Sequence, residues 1–210
     1  ARFQGGPNAG HSLHFEGKSF VLRSVPSGIF RKDAKNIVGN GVVLDPITFK
    51  GECDNIAKTG IPVNERIVIA KKAHLILPTH RLLDAANEAA MGKSKIGSTL
   101  KGIGPTYTDK ISRHGLRVGD ILAPDFAERY AKLQNRHITL LKQMGFECDP
   151  HAEDAEFMEA VEFLKTFELV DCEYYINDLL KTQDILAEGA QGSMLDVDYG
   201  SYPFVTSSTT

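Results

Sequence analysis

A glycine-rich segment near the start of the chain constrains the fold more than any other feature. The segment from Gln4 to His11 has the sequence QGGPNAGH, which places three glycines, one amide and one imidazole within eight residues. Glycine admits positive φ and lets a ligand approach main-chain N–H groups, which form an anion-binding concavity in such turns. His11 can then donate a charge-assisted hydrogen bond to a bound phosphate or act as a general acid. On these residues alone, a turn between two strands with an incidental histidine is an equally good interpretation.

Three further segments have the same character. They are GSTLKGIGP at residues 97–105, RHGLRVGD at 113–120, and EGAQG at 188–192, which continues to YPFVTSS at 202–208. Each combines glycines with hydroxyl, amide or guanidinium groups, which are suited to binding a phosphate or a sugar. Together with QGGPNAGH, they favour a nucleotide-binding protein over an incidental turn.

Hydrophobic patterning predicts alternating strands and helices. The predicted strands cover residues 19–23, 37–44, 66–70, 73–77 and 184–188, and the predicted helices cover 46–58, 78–91, 124–144 and, with one break, 152–181. We expect residues 93–105 to form a loop. Because the glycine-rich segments follow strands, we predict an α/β fold with a mostly parallel central sheet flanked by helices and a site at the carboxyl ends of the strands. No boundary divides the chain, so residues 1–210 are predicted to form a single α/β domain.

Composition excludes several classes of protein. The net charge is −3 with no basic tract, which argues against a nucleic-acid or membrane surface. The three cysteines are widely spaced without a CxxC pattern, which predicts reduced thiols in a cytoplasmic protein. No apolar run is long enough to span a bilayer, and no signal peptide is visible.

Five motifs in this order resemble the adenylosuccinate synthetase family: QGGxNAGH, GxGxVL at residues 39–44, GSTxKGIGP, GLRVGD and EGAQG. The resemblance runs from Gln4 to Thr206. It implies a partial P-loop-NTPase-like synthetase fold, within a larger synthetase domain. The family pattern places a GDEGKGK phosphate loop before Ala1 and a guanine-recognising segment after Thr210. We therefore expect this chain to be the central portion of such an enzyme, inactive by itself.

The resemblance implies a GTP-dependent ligase of purine biosynthesis, on the route from IMP to AMP. GTP phosphorylates the 6-oxygen of IMP, and the amino group of L-aspartate displaces that phosphate to give adenylosuccinate. GTP is the co-substrate and Mg²⁺ the expected cofactor, since phosphoryl transfer depends on positioning and charge neutralisation.

The resemblance also implies roles for particular residues. His11 matches the catalytic histidine, and Gly10 matches a glycine whose carbonyl binds Mg²⁺. Gly10, His11 and Ser12 match the GTP contacts. Arg113 is implied to reach the IMP of a neighbouring subunit, which requires a homodimer. The implied IMP contacts are Asn8, Ala9, Gly10, His11, Thr99, Arg113, Gln191 and Thr206.

Other interpretations stay open at this point. One is a non-catalytic fragment that binds IMP or dimerises, and another is an unrelated nucleotide-dependent ligase on the same scaffold. His137 lies on the apolar face of the helix at 124–144 and is expected to be packed rather than catalytic. His80 and the remaining histidines have no partners at ligand spacing, so no zinc site is proposed. Arg117 is expected to form an ion pair with Asp120.

Overall fold

A computed structural model describes residues 1–95 and 97–210, and a parallel five-stranded sheet lies at its centre. The strands are β1 (Arg2–Gly5), β2 (His11–Phe15), β3 (Lys18–Leu22), β4 (Asn36–Leu44), β5 (Ile67–Ala70), β6 (His74–Leu75) and β7 (Glu168–Val170). The sheet has the order β1-β4-β5-β7, with β6 paired to the end of β4, and each of these pairs is parallel. Strands β2 and β3 form a separate antiparallel hairpin. The predicted α/β class with a mostly parallel sheet is confirmed.

Seven helices surround the strands in the described part of the chain. They are α1 (Pro46–Ala57), α2 (Val63–Arg66), α3 (Pro78–Ala90), α4 (Ile103–Ser112), α5 (Phe126–Gln143), α6 (Asp154–Leu164) and α7 (Cys172–Leu179). Helix α1 begins where the sequence specifies it, because Asp45 accepts hydrogen bonds from the N–H groups of Ile47 (3.0 Å) and Thr48 (3.2 Å). Pro46 and Pro78 occupy the first turns of α1 and α3, where a missing N–H has no cost.

The core lies between the sheet and the helices. All four residues of β5 are buried, as expected for a strand paired on both sides in a parallel sheet. Phe49 of α1 packs edge-on against Phe167 at a ring distance of 5.4 Å, and Tyr130 of α5 stacks on Phe157 of α6 at 5.0 Å. Each such buried ring contributes roughly 1.5–3 kcal/mol of hydrophobic stabilisation, so α1, α5 and α6 are held firmly in place.

Three predicted elements differ from the structure. The predicted strand at residues 184–188 is an extended segment joined to Arg2 by a single bridge at Glu188. The break predicted within residues 152–181 contains β7, which adds to the edge of the sheet. The predicted loop at 93–105 ends early, because α4 begins at Ile103. A three-residue strand and a helix that starts within a glycine-rich stretch both have too little periodicity to be recognised.

The GxGxVL motif allows β1 and β4 to lie unusually close together. A Cβ on Gly39 would lie 3.0 Å from the carbonyl oxygen of Arg2, and one on Gly41 would collide with the carbonyl oxygen of Phe3. Strand β1 therefore pairs with β4, with one register shift between Arg2 and Gln4, and its carboxyl end at Gly5 is fixed opposite Val42. The QGGPNAGH loop starts at this fixed point.

The three cysteines are free thiols that differ in burial. Cys53 and Cys172 are buried and Cys148 is exposed, and none forms a disulfide within the described ranges. Burial raises the pKa of the Cys53 thiol, which keeps it protonated and unreactive.

None of the described helices combines the length and the hydrophobicity needed to cross a lipid bilayer.

Candidate functional site

The first two glycines of the QGGPNAGH loop are compressed between neighbouring segments. Gly5 has a φ of +82°, and a Cβ there would lie 2.7 Å from the Cβ of Ala190. A Cβ on Gly6 would lie 2.6 Å from Cδ1 of Ile103 and 2.8 Å from Val43. Larger residues cannot fit at either position, so the glycines bring the loop, the EGAQG segment and the start of α4 together.

Side-chain amides join the QGGPNAGH loop to the EGAQG segment. Gln4 Nε2 donates to the carbonyl oxygen of Ala190 at 2.6 Å, and Gln191 Nε2 donates to Asn8 Oδ1 at 3.0 Å. Gln191 has a φ of +67°, a conformation that is unfavourable for a residue with a side chain and is often found at ligand sites. The structure therefore brings together Asn8 and Gln191, two of the implied IMP contacts separated by 183 positions in the sequence.

A cavity of about 290 Å³ lies between these two segments. Ala9, Gly10, His11 and Ser12 line one side of it, and residues 188–190 line the other. All of the implied GTP contacts thus face the same space as the implied catalytic histidine. A cavity with convergent polar groups and exposed backbone is the arrangement expected of a small-molecule site.

His11 is the central titratable group of this cavity, and its side chain is 28% exposed. Its Nε2 lies 3.9 Å from Oε1 of Glu188, which in turn lies 3.7 Å from Nη1 of Arg2. Burial lowers the pKa of His11, and the Glu188 carboxylate opposes that effect, while Arg2 adds to it. An anion bound in the cavity would favour the imidazolium form, as a general acid requires.

Thr99 lies in a loop that is anchored to α3. Asp84 of α3 accepts hydrogen bonds from Oγ of Ser98 at 2.6 Å and from the N–H of Gly102 at 2.9 Å. Thr99 itself is exposed between these two anchors. Asp84 does not lie in a recognisable motif, and only the tertiary structure shows that it anchors this loop by hydrogen bonds.

Arg113 lies at the opposite end of α4 from Thr99. It is exposed and caps the helix with a φ of +65°. The ten residues of α4 extend about 15 Å, so the two implied phosphate contacts are far apart within one chain. A single ligand site that included both Thr99 and Arg113 would need residues from both ends of α4.

Thr206 lies in a segment that packs beside the carboxyl end of β1. Its N–H donates to the carbonyl oxygen of Leu195 at 2.8 Å, and Oγ of Ser208 donates to Gln4 Oε1 at 3.5 Å. Among the described residues, no hydrogen bond joins the Thr206 hydroxyl to Asn8 or Gln191. The structure thus places Thr206 in the neighbouring segment without a direct contact to that pair.

Tyr107 is a further site residue that sequence patterns do not reveal. Its hydroxyl donates to the carbonyl oxygen of Gly41 at 2.8 Å and accepts from the N–H of Gly5 at 3.3 Å. Burial raises the pKa of this hydroxyl, which keeps it protonated as a donor. Tyr107 therefore ties α4 to the end of β1 and to the carboxyl-terminal half of β4.

The expectation that His80 has no partner at ligand spacing is wrong. His80 and His137 both place Nε2 at Oδ2 of Asp109, at 2.9 and 2.7 Å, and the three residues are buried. The Nδ1 of His80 accepts the N–H of Leu77 at 2.9 Å, so its proton resides on Nε2 and is donated to the carboxylate. A metal ligand needs a lone pair at that position, so the cluster is a hydrogen-bond network rather than a metal centre.

Charges in this cluster are set by burial and hydrogen bonding. Burial lowers the pKa of His80 to about 4. Burial alone would raise the pKa of Asp109, but the hydrogen bonds from His137 and His80 hold it well below its usual range. His137 is packed as expected, and it also shares a 2.7 Å hydrogen bond with the hydroxyl of Thr79.

The expected ion pair between Arg117 and Asp120 is also wrong. Asp120 Oδ1 accepts from the guanidinium of Arg129 at 2.9 Å, while Oδ2 accepts from the backbone N–H of Arg117 at 2.7 Å. Asp120 therefore caps the turn that follows Arg117. Sequence proximity suggested the wrong arginine, because α5 brings Arg129 back to the same carboxylate.

Comparisons with known sequences match the whole chain to one family. The family model described as adenylosuccinate synthetase matches residues 1–210. Adenylosuccinate synthetase from Phocaeicola vulgatus is 61% identical over all of this chain and 50% of its own length. The protein of the same name from Porphyromonas gingivalis is 58% identical, again over all of this chain and 50% of its own length. The chain spans about half the length of the curated relatives it matches.

Comparisons with solved structures indicate the same family as the sequence comparisons. Fully ligated adenylosuccinate synthetase from Plasmodium falciparum superposes with a TM-score of 0.88 at 32% identity, covering 100% of this chain and 49% of that one. Succinoaminodeoxyadenylate synthetase of cyanophage S-2L, bound to dGMP and dATP as an energy donor, has a TM-score of 0.62 at 25% identity and covers 97% of this chain and 46% of that one. The family model over the whole chain and these matches, together with the five motifs, show that the chain belongs to the adenylosuccinate synthetase family.

Proposed function

We propose that the intact protein carrying this chain ligates IMP and L-aspartate to adenylosuccinate at the expense of GTP, in the synthesis of AMP. One observation carries the proposal: residues 9–12 and residues 188–190 line a single cavity, and the adjacent Asn8 and Gln191 join the same two segments by a hydrogen bond. These are the segments whose residues match the family's IMP and GTP contacts.

The side chains present are suited to IMP. The amides of Asn8 and Gln191 offer both donors and acceptors to a purine edge. Ala9 and Gly10 present little side-chain bulk at the cavity wall, which allows a nucleotide to approach the backbone. The hydroxyls of Thr99 and Thr206 are assigned to phosphate or ribose oxygens. The Thr99 loop is anchored to Asp84 of α3, and the Thr206 segment contacts Gln4 of β1 through Ser208.

GTP and Mg²⁺ are assigned to the outer part of the loop, at Gly10, His11 and Ser12. Gly10 is exposed, and a Cβ there would meet only ordinary contacts, 3.4 Å from Val21 and 3.6 Å from Arg23. An accessible backbone carbonyl is a hard oxygen ligand of the kind Mg²⁺ binds, so Gly10 fits as one ligand beside phosphate and water oxygens. When bound, the ion would neutralise phosphate charge.

The chemistry assigned to the chain's own residues is positioning and proton control. His11 donates a hydrogen bond or a proton as the phosphoryl group moves to the 6-oxygen of IMP. The aspartate amino group then attacks the carbon that bears this oxygen and expels the phosphate. The half-buried environment of His11 favours the neutral imidazole until an anion arrives, which confines the acid form to the ligated state.

Arg113 is assigned to the IMP phosphate of a second subunit. It is exposed at the end of α4, about 15 Å from the Thr99 end of the same helix. Guanidinium presents paired donors to phosphate, and a two-fold dimer would supply one arginine to each site. The 210 residues are assigned to a single α/β unit of a larger synthetase domain, acting in the cytoplasm.

The direct test is formation of adenylosuccinate from IMP, L-aspartate, GTP and Mg²⁺ by the intact protein. His11→Ala is expected to lower kcat by about 10²- to 10⁴-fold, because the acid is lost. His14→Ala is the matched control, since His14 lies three residues on in the same hairpin and is exposed. No product from the wild-type protein, or equal rates for the two variants, would contradict the proposal.

The shared site is tested by mixing variants. His11→Ala and Arg113→Ala are each expected to be inactive alone. After subunit exchange, a mixed dimer has one site with both residues intact, so about a quarter of wild-type activity should return. No recovery after verified exchange would place Arg113 outside the neighbouring site.

A further inference from the structure

Glu188 uses its two carboxylate oxygens differently. Oε2 accepts the backbone N–H of Ser27 at 2.9 Å, which fixes the carboxylate plane. Oε1 is buried and has no hydrogen-bond partner within the described ranges. A buried carboxylate oxygen without a donor is costly, so such an atom indicates a partner that arrives or moves into place.

The unpartnered oxygen faces an unpartnered nitrogen. Nε2 of His11 is 3.9 Å from Oε1 of Glu188, and it too is buried without a partner. This gap is about 1 Å longer than a normal N–H···O hydrogen bond. A small movement of the loop that carries His11 would close it and satisfy both atoms at once.

Arg2 places a buried positive charge beside the carboxylate. Its side chain is 1% exposed, and Nη1 lies 3.7 Å from Oε1 of Glu188. Nη2 donates to the carbonyl oxygen of Gly6 at 3.4 Å, which places the guanidinium beneath the loop. A fully buried arginine needs a counter-charge, and Glu188 supplies one at 3.7 Å.

The backbone at Glu188 is rigid enough to orient another residue. Its N–H donates to the carbonyl oxygen of Ala1 at 2.7 Å, and its carbonyl oxygen accepts the N–H of Phe3 at 3.4 Å. This bridge attaches the segment to the edge of β1, from which the loop to His11 also starts. Both partners are therefore attached to the same strand, Glu188 beside its start at Arg2 and the loop to His11 after its end at Gly5.

We propose, on the basis of the function proposed above, that Glu188 is the positioning residue for His11. Its Oε1 accepts the Nε2–H of the imidazole, which leaves Nδ1 to face the nucleotide. The arrangement of arginine, carboxylate and histidine orients the ring and selects its tautomer, as carboxylate partners of functional histidines do in general. Anchoring Ser27 requires only Oε2, so that structural role does not account for the buried and unpaired Oε1.

The test compares Glu188→Gln, Glu188→Asp and the control Glu147→Gln in the intact protein. In Glu188→Gln the amide oxygen can still accept from Ser27, but an NH₂ group replaces the acceptor that faces His11. We expect kcat to fall about 10- to 100-fold with KM for IMP changed less than about twofold, and Glu188→Asp to recover part of kcat. Glu147 is exposed, and its substitution should change neither constant.

A second measurement does not depend on activity. The ¹⁵N shifts of the His11 ring, recorded on neutral protein, should show the Nε2–H tautomer in the wild type and lose that preference in Glu188→Gln. An unaltered tautomer together with an unaltered kcat would overturn the proposal. If the wild-type protein makes no adenylosuccinate, the proposed function fails, and the tautomer alone decides whether Glu188 positions His11. If Glu188→Gln does not fold, Glu188→Asp provides the same comparison: its shorter side chain should weaken the Nε2–H preference, and an unaltered preference would overturn the pairing.

Discussion

Replacing Asp109 by asparagine should destabilise the protein through two histidines at once. Oδ2 of Asp109 accepts the Nε2–H groups of His80 and His137 at 2.9 and 2.7 Å, and all three side chains are buried. The pKa of Asp109 lies well below its usual range despite burial, so the charged carboxylate is favoured by its surroundings in the folded state. A neutral group of the same shape must therefore lose stabilisation.

The expected loss follows from the two hydrogen bonds. A hydrogen bond to a charged acceptor contributes roughly 1.5–3 kcal/mol and one to a neutral acceptor about 0.5–1.5, so each bond weakens by about 1 kcal/mol. Asp109→Asn should thus lower the free energy of unfolding by about 2 kcal/mol. Asp109→Ala should lower it by roughly 3–5 kcal/mol, because it leaves two buried N–H groups unpaired.

Urea unfolding followed by circular dichroism measures this effect. With a denaturant slope of about 2 kcal/mol/M, the midpoint of Asp109→Asn should fall by about 1 M. Asp184→Asn is the matched control, because it makes the same chemical change at an exposed carboxylate. Its midpoint should stay within the change of about 0.5 kcal/mol that is typical of surface substitutions.

The reasoning is refuted if Asp109→Asn unfolds at the same urea concentration as Asp184→Asn. That result would mean that the desolvation cost of the carboxylate equals the stabilisation it receives from the two imidazoles. A more stable Asp109→Leu variant would support the same conclusion, since it would show that an apolar core is preferred at this position.

Three other perturbations are expected to have measurable effects. Gly102→Ala should destabilise by about 1–3 kcal/mol in thermal or urea unfolding, because φ is +74° and the new Cβ would lie 2.9 Å from the backbone nitrogen of Arg81; an unchanged midpoint would contradict this. Tyr107→Phe should lower the free energy of unfolding by about 1–2 kcal/mol and raise KM for IMP, because the 2.8 Å hydrogen bond to the carbonyl of Gly41 is lost. Unchanged values would show that the loop does not depend on this hydrogen bond. The folded-state pKa of His80 is lowered from 6.5 to about 4, so the unfolded state binds the extra proton and stability should fall as the pH decreases from about 6.5 to 4. Urea midpoints measured across that range should show this slope in the wild type, and a smaller slope in His80→Asn; identical slopes would exclude His80 as the source.

Local sequence determined much of the fold class. Pro46 and Pro78 mark helix starts, and the four apolar residues of β5 indicate a strand buried on both faces, because these signals act through neighbouring residues. The glycine motifs predicted the loops of the candidate site for a similar reason. A glycine is required where a backbone must turn with positive φ or pass close to another strand, and Gly5 and Gly41 do so.

Sequence patterns could not locate β7 or the start of α4. Strand β7 has three residues, and its place in the sheet depends on pairing with β5, about 100 positions earlier. Helix α4 begins among glycines that disfavour helices, and it is stabilised there by Asp84 and by packing of Ile103 against Gly6. Tertiary contacts override weak local preferences in both cases.

The residues of the candidate site also fall into two groups: those that sequence motifs predict and those that only the fold brings together. The sequence by itself predicted Asn8, His11 and Gln191 as site residues, because each lies in a glycine-rich motif that matches the family pattern. Only the tertiary structure placed Arg2 and Glu188 beside His11, and Asp109 between two histidines, because charged side chains acquire such roles only when folding buries them within a few ångströms of a partner. Burial and distance are properties of the folded chain, and no local pattern of residues encodes them.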